Sequence, residues 1–379
     1  MSLQVATDML GGNACGVKIR KTGLLPEIVC AADPKGGTEA LWFSFRIRET
    51  KPDEHRGGKI GVTLRHLDLW GEPVAALDLL PVYRPQGQGW YRCSGGTLST
   101  EPDGRFAVSW LMPHPAPETE VALCFPYGPP ELKSLMAKSK GYWKEDEIGR
   151  SEEGVPLVRW ANDYGATGGR KNGVYLIARE QAGETPGSWA LEGFLQHMAR
   201  IKRDPFMIWA VPIADPDALE RGVHGKSLYP LDVDRAWGTP PGRHEAWVYQ
   251  RDMFRWRARC KPALGVEFHA AEPFDKRGVY CVLPAANKTP DQHRAAERWA
   301  NVIRQELGPD YAAEEFKQEV VALPDKAHRT MTDFFTEEMD ACALSLRIPY
   351  SRIGTRVLSQ RHYREIGEAI AKALLKKGG

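Results

Sequence analysis

Four short stretches hold the residues best equipped for chemistry. The first runs Ala178-Arg179-Glu180-Gln181-Ala182-Gly183-Glu184-Thr185-Pro186-Gly187-Ser188-Trp189, with Gln181 and Glu184 three positions apart where a strand gives way to a helix. The second holds Asp215-Pro216-Asp217 and, beyond a loop with His224, Gly225 and Lys226, the run Asp232-Val233-Asp234-Arg235-Ala236-Trp237. The third, Gly265-Val266-Glu267-Phe268-His269-Ala270, ends a strand in an imidazole. The fourth, Ala343-Leu344-Ser345-Leu346-Arg347-Ile348-Pro349-Tyr350-Ser351, sets a guanidinium in an apolar run. Taken singly, each group has a structural reading beside its chemical one. Glu184 suits the first turn of a helix, where the dipole favours a carboxylate, and His269 suits a hydrogen-bonded strand end. Arg235 can pair with Asp232 or Asp234, or present its planar fork to an external carboxylate.

The elements that must position these residues divide into two kinds. From Ala40 to about Phe125, the runs Leu41–Ile47, Ile60–Leu67, Phe106–Leu111 and Val121–Phe125 are short and separated by Gly, Pro and Asp clusters, which predicts an antiparallel β-sandwich. Past Pro129-Pro130, a short helical run and the charged stretch Lys144-Glu145-Asp146-Glu147 suit an interdomain connection, with a boundary near residue 130. Beyond it, the buried-type strands Val174–Ala178, Phe206–Val211, Leu264–His269 and Cys342–Leu346 alternate with helical patterns, the rhythm of an α/β domain. The last helix begins after Ser359 and aligns Tyr363, Ile366, Ile370 and Leu374 on one face as core packing, ahead of a Lys376-Lys377-Gly378-Gly379 tail read as frayed.

In order and spacing the four stretches resemble the zinc carboxypeptidase family, most closely its cytosolic branch. The resemblance covers essentially the whole of residues 131–379 and implies a mixed-sheet α/β domain of about eight strands. The segment 1–130, ending in Phe125-Pro126-Tyr127, resembles the additional N-terminal β-sandwich domain of that branch. It also implies that Gln181, Glu184, Arg235, His269 and Arg347 converge on one cleft at the carboxyl ends of sheet strands. The family's H-x-x-E zinc turn falls on Gln181 and Glu184, and its third ligand, the His of D-x-H, on His269. The N-P-D-G and D-x-N-R-x-W motifs fall on Asp215-Pro216-Asp217 and Asp232 to Trp237, which assigns substrate-carboxylate binding to Asp234 and Arg235. The oxyanion Arg falls on Gly225, with Lys226 or His224 beside it as substitutes, and the general-base Glu of A-L-T-L-E-x-P-Y-S falls on Arg347.

The departures matter as much as the matches. An amide at Gln181 is a poor zinc ligand beside imidazole, so zinc, the cofactor implied by the family, has two strong protein ligands left. Asp234 puts a negative charge where the family has Asn. Arg347 accepts no proton, and loss of a general base costs ~10²–10⁴ in rate. These substitutions favour a catalytically impaired or inactive peptidase homologue whose cleft still takes a peptide or protein C-terminus, or a small acidic ligand, through Arg235. Two alternatives stand beside it: an active metallocarboxypeptidase with a rearranged site, recruiting His224 with Glu267 or Glu338, and a non-catalytic interaction protein working through the β-domain.

Bulk properties narrow the setting. At 379 residues the chain suits two domains, and 42% apolar with 26% charged residues is the balance of a soluble globular protein. A net charge of +2 with dispersed Lys and Arg disfavours nucleic acid. The absence of an apolar run near ~20 residues disfavours a membrane span, and the Met1-Ser2-Leu3 start lacks a leader pattern. Seven cysteines without a CxxC pair fit reduced thiols in a cytoplasm.

Overall fold

The N-terminal strands are β1 (Leu3–Ala6), β2 (Cys15–Thr22), β3 (Leu25–Ala31), β4 (Ser44–Glu49), β5 (Gly58–Arg65), β6 (Val82–Pro85), β7 (Tyr91–Arg92), β8 (Thr97–Thr100), β9 (Phe106–His114) and β10 (Glu118–Ala122). They form two five-stranded sheets, ordered β1-β4-β10-β6-β7 and β2-β3-β5-β9-β8. Alternation puts Phe45, Ile47, Ile60, Val62 and Trp110 inside, the packing that a sandwich of two half-buried sheets requires. The antiparallel expectation holds except between β3 and β5, which run parallel. The chain leaves this sheet to lay β4 in the other one before returning, so β3 and β5 are not joined by a hairpin.

This computed structural model describes residues 3–22, 25–37, 39–50, 58–67, 77–114, 117–163, 171–201, 205–228, 231–283, 289–319 and 328–378. Met1 and Ser2 of the start and Gly379 of the tail lie outside the described residues.

Helix α1 (Pro129–Lys138) follows, then β11 (Lys144–Arg150), β12 (Pro156–Ala161), β13 (Asn172–Ala178), α2 (Thr185–Ile201), β14 (Phe206–Val211), α3 (Pro216–Arg221), α4 (His244–Arg257), β15 (Lys261–Ala270) and β16 (Val279–Leu283). The chain closes with α5 (Pro290–Tyr311), β17 (Ala312–Glu319), α6 (Met331–Glu338), β18 (Cys342–Ile348), the short pair β19 (Arg352–Ile353) and β20 (Arg356–Val357), and α7 (Gln360–Gly378). One eight-stranded mixed sheet, ordered β11-β12-β14-β13-β15-β18-β16-β17, organises this region. Its central strands β14, β13, β15 and β18 are parallel neighbours, buried on both faces as their continuous apolar runs foretold.

The charged stretch expected as a connection is β11, an edge strand antiparallel to β12. Lys144, Glu145, Asp146 and Glu147 are exposed there, where charge blunts an otherwise open sheet edge. Residue 130 lies in the first turn of α1, yet apolar packing does not stop at it: one core runs from Phe45 through Trp189 to Leu374. No helix among the described residues is long and apolar enough to cross a membrane.

Candidate functional site

The turn between β13 and α2 is built by close approach. Gly183 donates its amide to the His224 carbonyl at 2.6 Å, and a Cβ there would stand 2.4 Å from the His224 ring. Gly187 lets the first turn of α2 reach the backbone of β15, where a Cβ would meet the Phe268 carbonyl at 2.2 Å. The segment between β10 and α1 holds the turn from behind. The Trp189 indole donates to the Phe125 carbonyl (3.0 Å), and Arg179, at φ 65°, donates to the Tyr127 carbonyl (3.1 Å). Burial pushes the Arg179 guanidinium down to about 10.

Asp215 caps α3 through the Ala218 amide (3.0 Å), and Asp232 caps a short 3-10 turn through the Arg235 amide (3.0 Å). These aspartates shape the loops that present Asp234 and Arg235, whose side chains pair at 3.4 Å. Parallel pairing of β15 with β18 sets Arg347 opposite His269. A cavity of about 370 Å³ opens between these elements, and Gln181, Glu184, Lys226, Asp234, Arg235 and Arg347 all line it. Lys226 is engaged within it by Glu272 (2.8 Å) and Glu39 (3.4 Å). The guanidinium of Arg347 is held charged: burial works against it, but Glu184, Asp234 and Glu267 outweigh that cost.

The residues suggested as recruits are placed unequally. His224 lines the cavity, buried, with its Nε2 3.0 Å from the Tyr350 hydroxyl, while Glu338 ends α6 and Glu267 is buried, neither of them part of the cavity lining. Burial, then the Lys226 charge, pushes the His224 imidazole down to about 3. Its contribution to stability is therefore present above the unfolded value near 6.5 and lost as pH falls towards 3. At about pH 4.5 the unmodified protein should have lost about 3 kcal/mol relative to a His224→Gln variant, each referred to pH 7. Comparing urea midpoints of the two proteins isolates this from Asp215 and Asp252, whose carboxyls burial raises to about 6 and which act in the opposite sense. Parallel curves for the two proteins would contradict a neutral buried imidazole.

His269 lies behind the cavity wall, fully buried, and its two ring edges differ. Nδ1 stands 2.6 Å from Glu184 Oε2, a short charge-assisted hydrogen bond. Burial and the Arg347 charge lower the affinity of the imidazole for its proton, but Glu184 and Glu180 prevail and hold its pKa well above the usual value. Two ligands of one tetrahedral zinc stand roughly 3.3 Å apart. The Nδ1 and Oε2 atoms are closer than that, Gln181 adds an amide, and Arg347 brings a positive charge. The trio Gln181, Glu184 and His269 therefore does not fit zinc at the position that the sequence motifs suggest.

The other ring edge has a different environment. Nε2 lies 3.5 Å from Glu180 Oε2, 3.5 Å from Glu267 Oε2 and 3.6 Å from Asp234 Oδ1, and these four buried residues form a group that could hold a metal ion. Burial, then the Glu267 charge, pushes the Glu180 carboxyl up to about 8. Glu180 escaped the sequence reading because its neighbours Gln181 and Glu184 carried the motif. A carboxylate closing an apolar strand, followed by a tight turn, was the available signal.

No family model matches the chain. Over 248 residues, 58% of its length, it is 25% identical to Cytosolic carboxypeptidase 2 of Xenopus tropicalis, of which the match covers 25%. Over 105 residues, 25% of its length, it is 30% identical to human Cytosolic carboxypeptidase 1, of which the match covers 9%. The chain thus matches a quarter or less of these relatives. Two solved structures share the fold across nearly their full lengths. A metallo-carboxypeptidase from Burkholderia cenocepacia superposes with a TM-score of 0.78 at 17% identity, covering 99% of this chain and 98% of that one. A metallo-carboxypeptidase from Pseudomonas aeruginosa, in complex with (2-guanidinoethylmercapto)succinic acid, does so with a TM-score of 0.74 at 18% identity, covering 99% of each chain.

Proposed function

Because the chain belongs to the zinc carboxypeptidase family, on its cytosolic-like branch, we propose that its cleft binds a peptide or protein C-terminus, or a small acidic ligand of the same carboxylate chemistry, without cleaving it. The observation that carries this reading is Arg347. A guanidinium opposite His269, facing the same cavity as Glu184, can take up no proton from water and can offer a fork to a carboxylate. Arg235 lines the cavity as a second fork and Lys226 as a third cation, so a carboxylate entering it meets three positive groups set among the carboxylates of Glu184, Asp232, Asp234 and Glu272. The Pseudomonas aeruginosa neighbour, held in complex with a succinic acid derivative, supports an acidic ligand here. Free thiols at all seven cysteines and cytosolic relatives support residence in the cytoplasm.

Titration calorimetry with a short peptide bearing a free C-terminus, and with its amidated twin, tests the reading. The free peptide should bind, the amide at least ~10-fold more weakly, and Arg235→Ala should lose ~10–100-fold, the worth of one charge-assisted contact. No C-terminal residue should be released on prolonged incubation with zinc. Equal affinity for the two peptides would refute carboxylate recognition, and steady turnover would restore the hydrolase reading.

A further inference from the structure

We propose that the protein holds a first-row divalent metal ion, zinc or manganese, on the Nε2 side of His269, with Glu180, Asp234 and Glu267 as the other ligands, in place of an ion at the Gln181-Glu184 position. This goes beyond the carboxylate-binding reading and stands independently of it. Glu180 Oε2, Asp234 Oδ1 and His269 Nε2 are buried and have no hydrogen-bond partner. Their separations of 3.5 and 3.6 Å are too long for good hydrogen bonds, and an unmet buried acceptor is costly. With the 3.5 Å to Glu267 they are the three edges that meet at Nε2, each the length of the edge of a tetrahedron whose centre is about 2.2 Å from its corners, near the carboxylate and imidazole distances of zinc, and all four ligand atoms lie within 4.8 Å of one another. Calcium, which takes six to eight oxygens and accepts imidazole poorly, suits this nitrogen-bearing group of four less well.

Each ligand is also fixed from outside. The Trp237 indole donates to Glu180 Oε1 at 2.6 Å, the Thr332 amide to Glu267 Oε1 at 2.9 Å, and Arg235 stands 3.4 Å from Asp234 Oδ2. In every case the outer oxygen is engaged and the inner one faces Nε2. Glu184 completes the pattern by accepting from Nδ1, which leaves the Nε2 lone pair for the ion, the arrangement of a carboxylate-oriented metal histidine. Charge agrees. With His269 neutral, the carboxylates of Glu180, Glu184, Asp234 and Glu267 face the guanidinium groups of Arg235 and Arg347. The shortfall equals the charge of one divalent ion. In the metal-free chain, protons on His269 and Glu180 supply the same two positive charges, and a divalent ion would displace them.

Elemental analysis and calorimetry on the full chain, stripped with chelator and reloaded with zinc or manganese separately, provide the test. One ion per chain is expected, with a raised melting temperature. Isosteric Glu180→Gln, Asp234→Asn and their combination should each weaken binding, the pair by at least ~100-fold, whereas Gln181→Ala should leave stoichiometry unchanged. Circular dichroism confirms that each variant remains folded. If a variant fails to fold, the unmodified chain alone decides: no ion bound at micromolar free metal overturns the site. Binding that survives the double variant, or that disappears with Gln181→Ala, overturns it as well.

Discussion

Arg347→Met will destabilise the chelated, metal-free protein by about 3–5 kcal/mol, the usual cost of stripping one partner from a buried ionic cluster. Arg347 is surrounded by the charges of Glu184, Asp234 and Glu267, and Arg235 beyond them is exposed enough to be shared with solvent. Methionine preserves most of the length of the side chain, so the loss reports charge more than a cavity. Urea denaturation with and without bound zinc gives the comparison. The metal-loaded variant should recover some of the loss, because the ion supplies positive charge to the same carboxylates. A loss below about 1 kcal/mol in the stripped protein would mean that proton uptake already neutralises them, and that Arg347 is dispensable to the fold.

A larger effect is expected away from the cleft, where α2 meets α7. Gly367→Ala should cost about 4 kcal/mol or more, because a Cβ at this position would lie 1.8 Å from the Ala190 carbonyl oxygen and 2.7 Å from the Phe194 nitrogen. Gly193 faces α7 in the same way, with a Cβ placed 2.1 Å from the Arg364 carbonyl oxygen. The backbones of α2 and α7 therefore touch, and one methyl group would have to push apart a pair of helices that both belong to the main core. Gly89→Ala, with nothing within 4 Å of the added carbon, serves as control and should change stability by no more than about 0.5 kcal/mol. Equal midpoints for the two variants would show that the helices separate without cost.

How far sequence reasoning reached depended on whether the signal was local. Strands β13, β14, β15 and β18 were legible because strands buried on both faces read as unbroken apolar runs. Pairing His269 with Arg347 followed once two such runs were set side by side. The parallel partnership of β3 and β5 was not legible, since it depends on where β4 goes between them. Lys144 to Glu147 read as a connection because an edge strand with charged faces lacks the alternation that marks a buried one. At the site, His269 could be picked out by type, but which ring nitrogen faces which carboxylate is a tertiary fact. Glu267 shares a strand face with His269 by simple alternation, but three other chain segments bring Glu180, Asp234 and Arg347 to that ring, and none of their separations along the chain encodes an ångström distance.

The Trp189 and Arg179 hydrogen bonds to the carbonyls of Phe125 and Tyr127 bring the segment that leaves β10 into the wall behind the cleft. The turn carrying Gln181 and Glu184 is thus clamped between two halves of the chain, and it can loosen only when their shared core does. Substitutions deep in the sandwich, remote from any ligand, accordingly act on the cleft as changes in stiffness: they alter how long the turn stays assembled and leave its chemistry untouched.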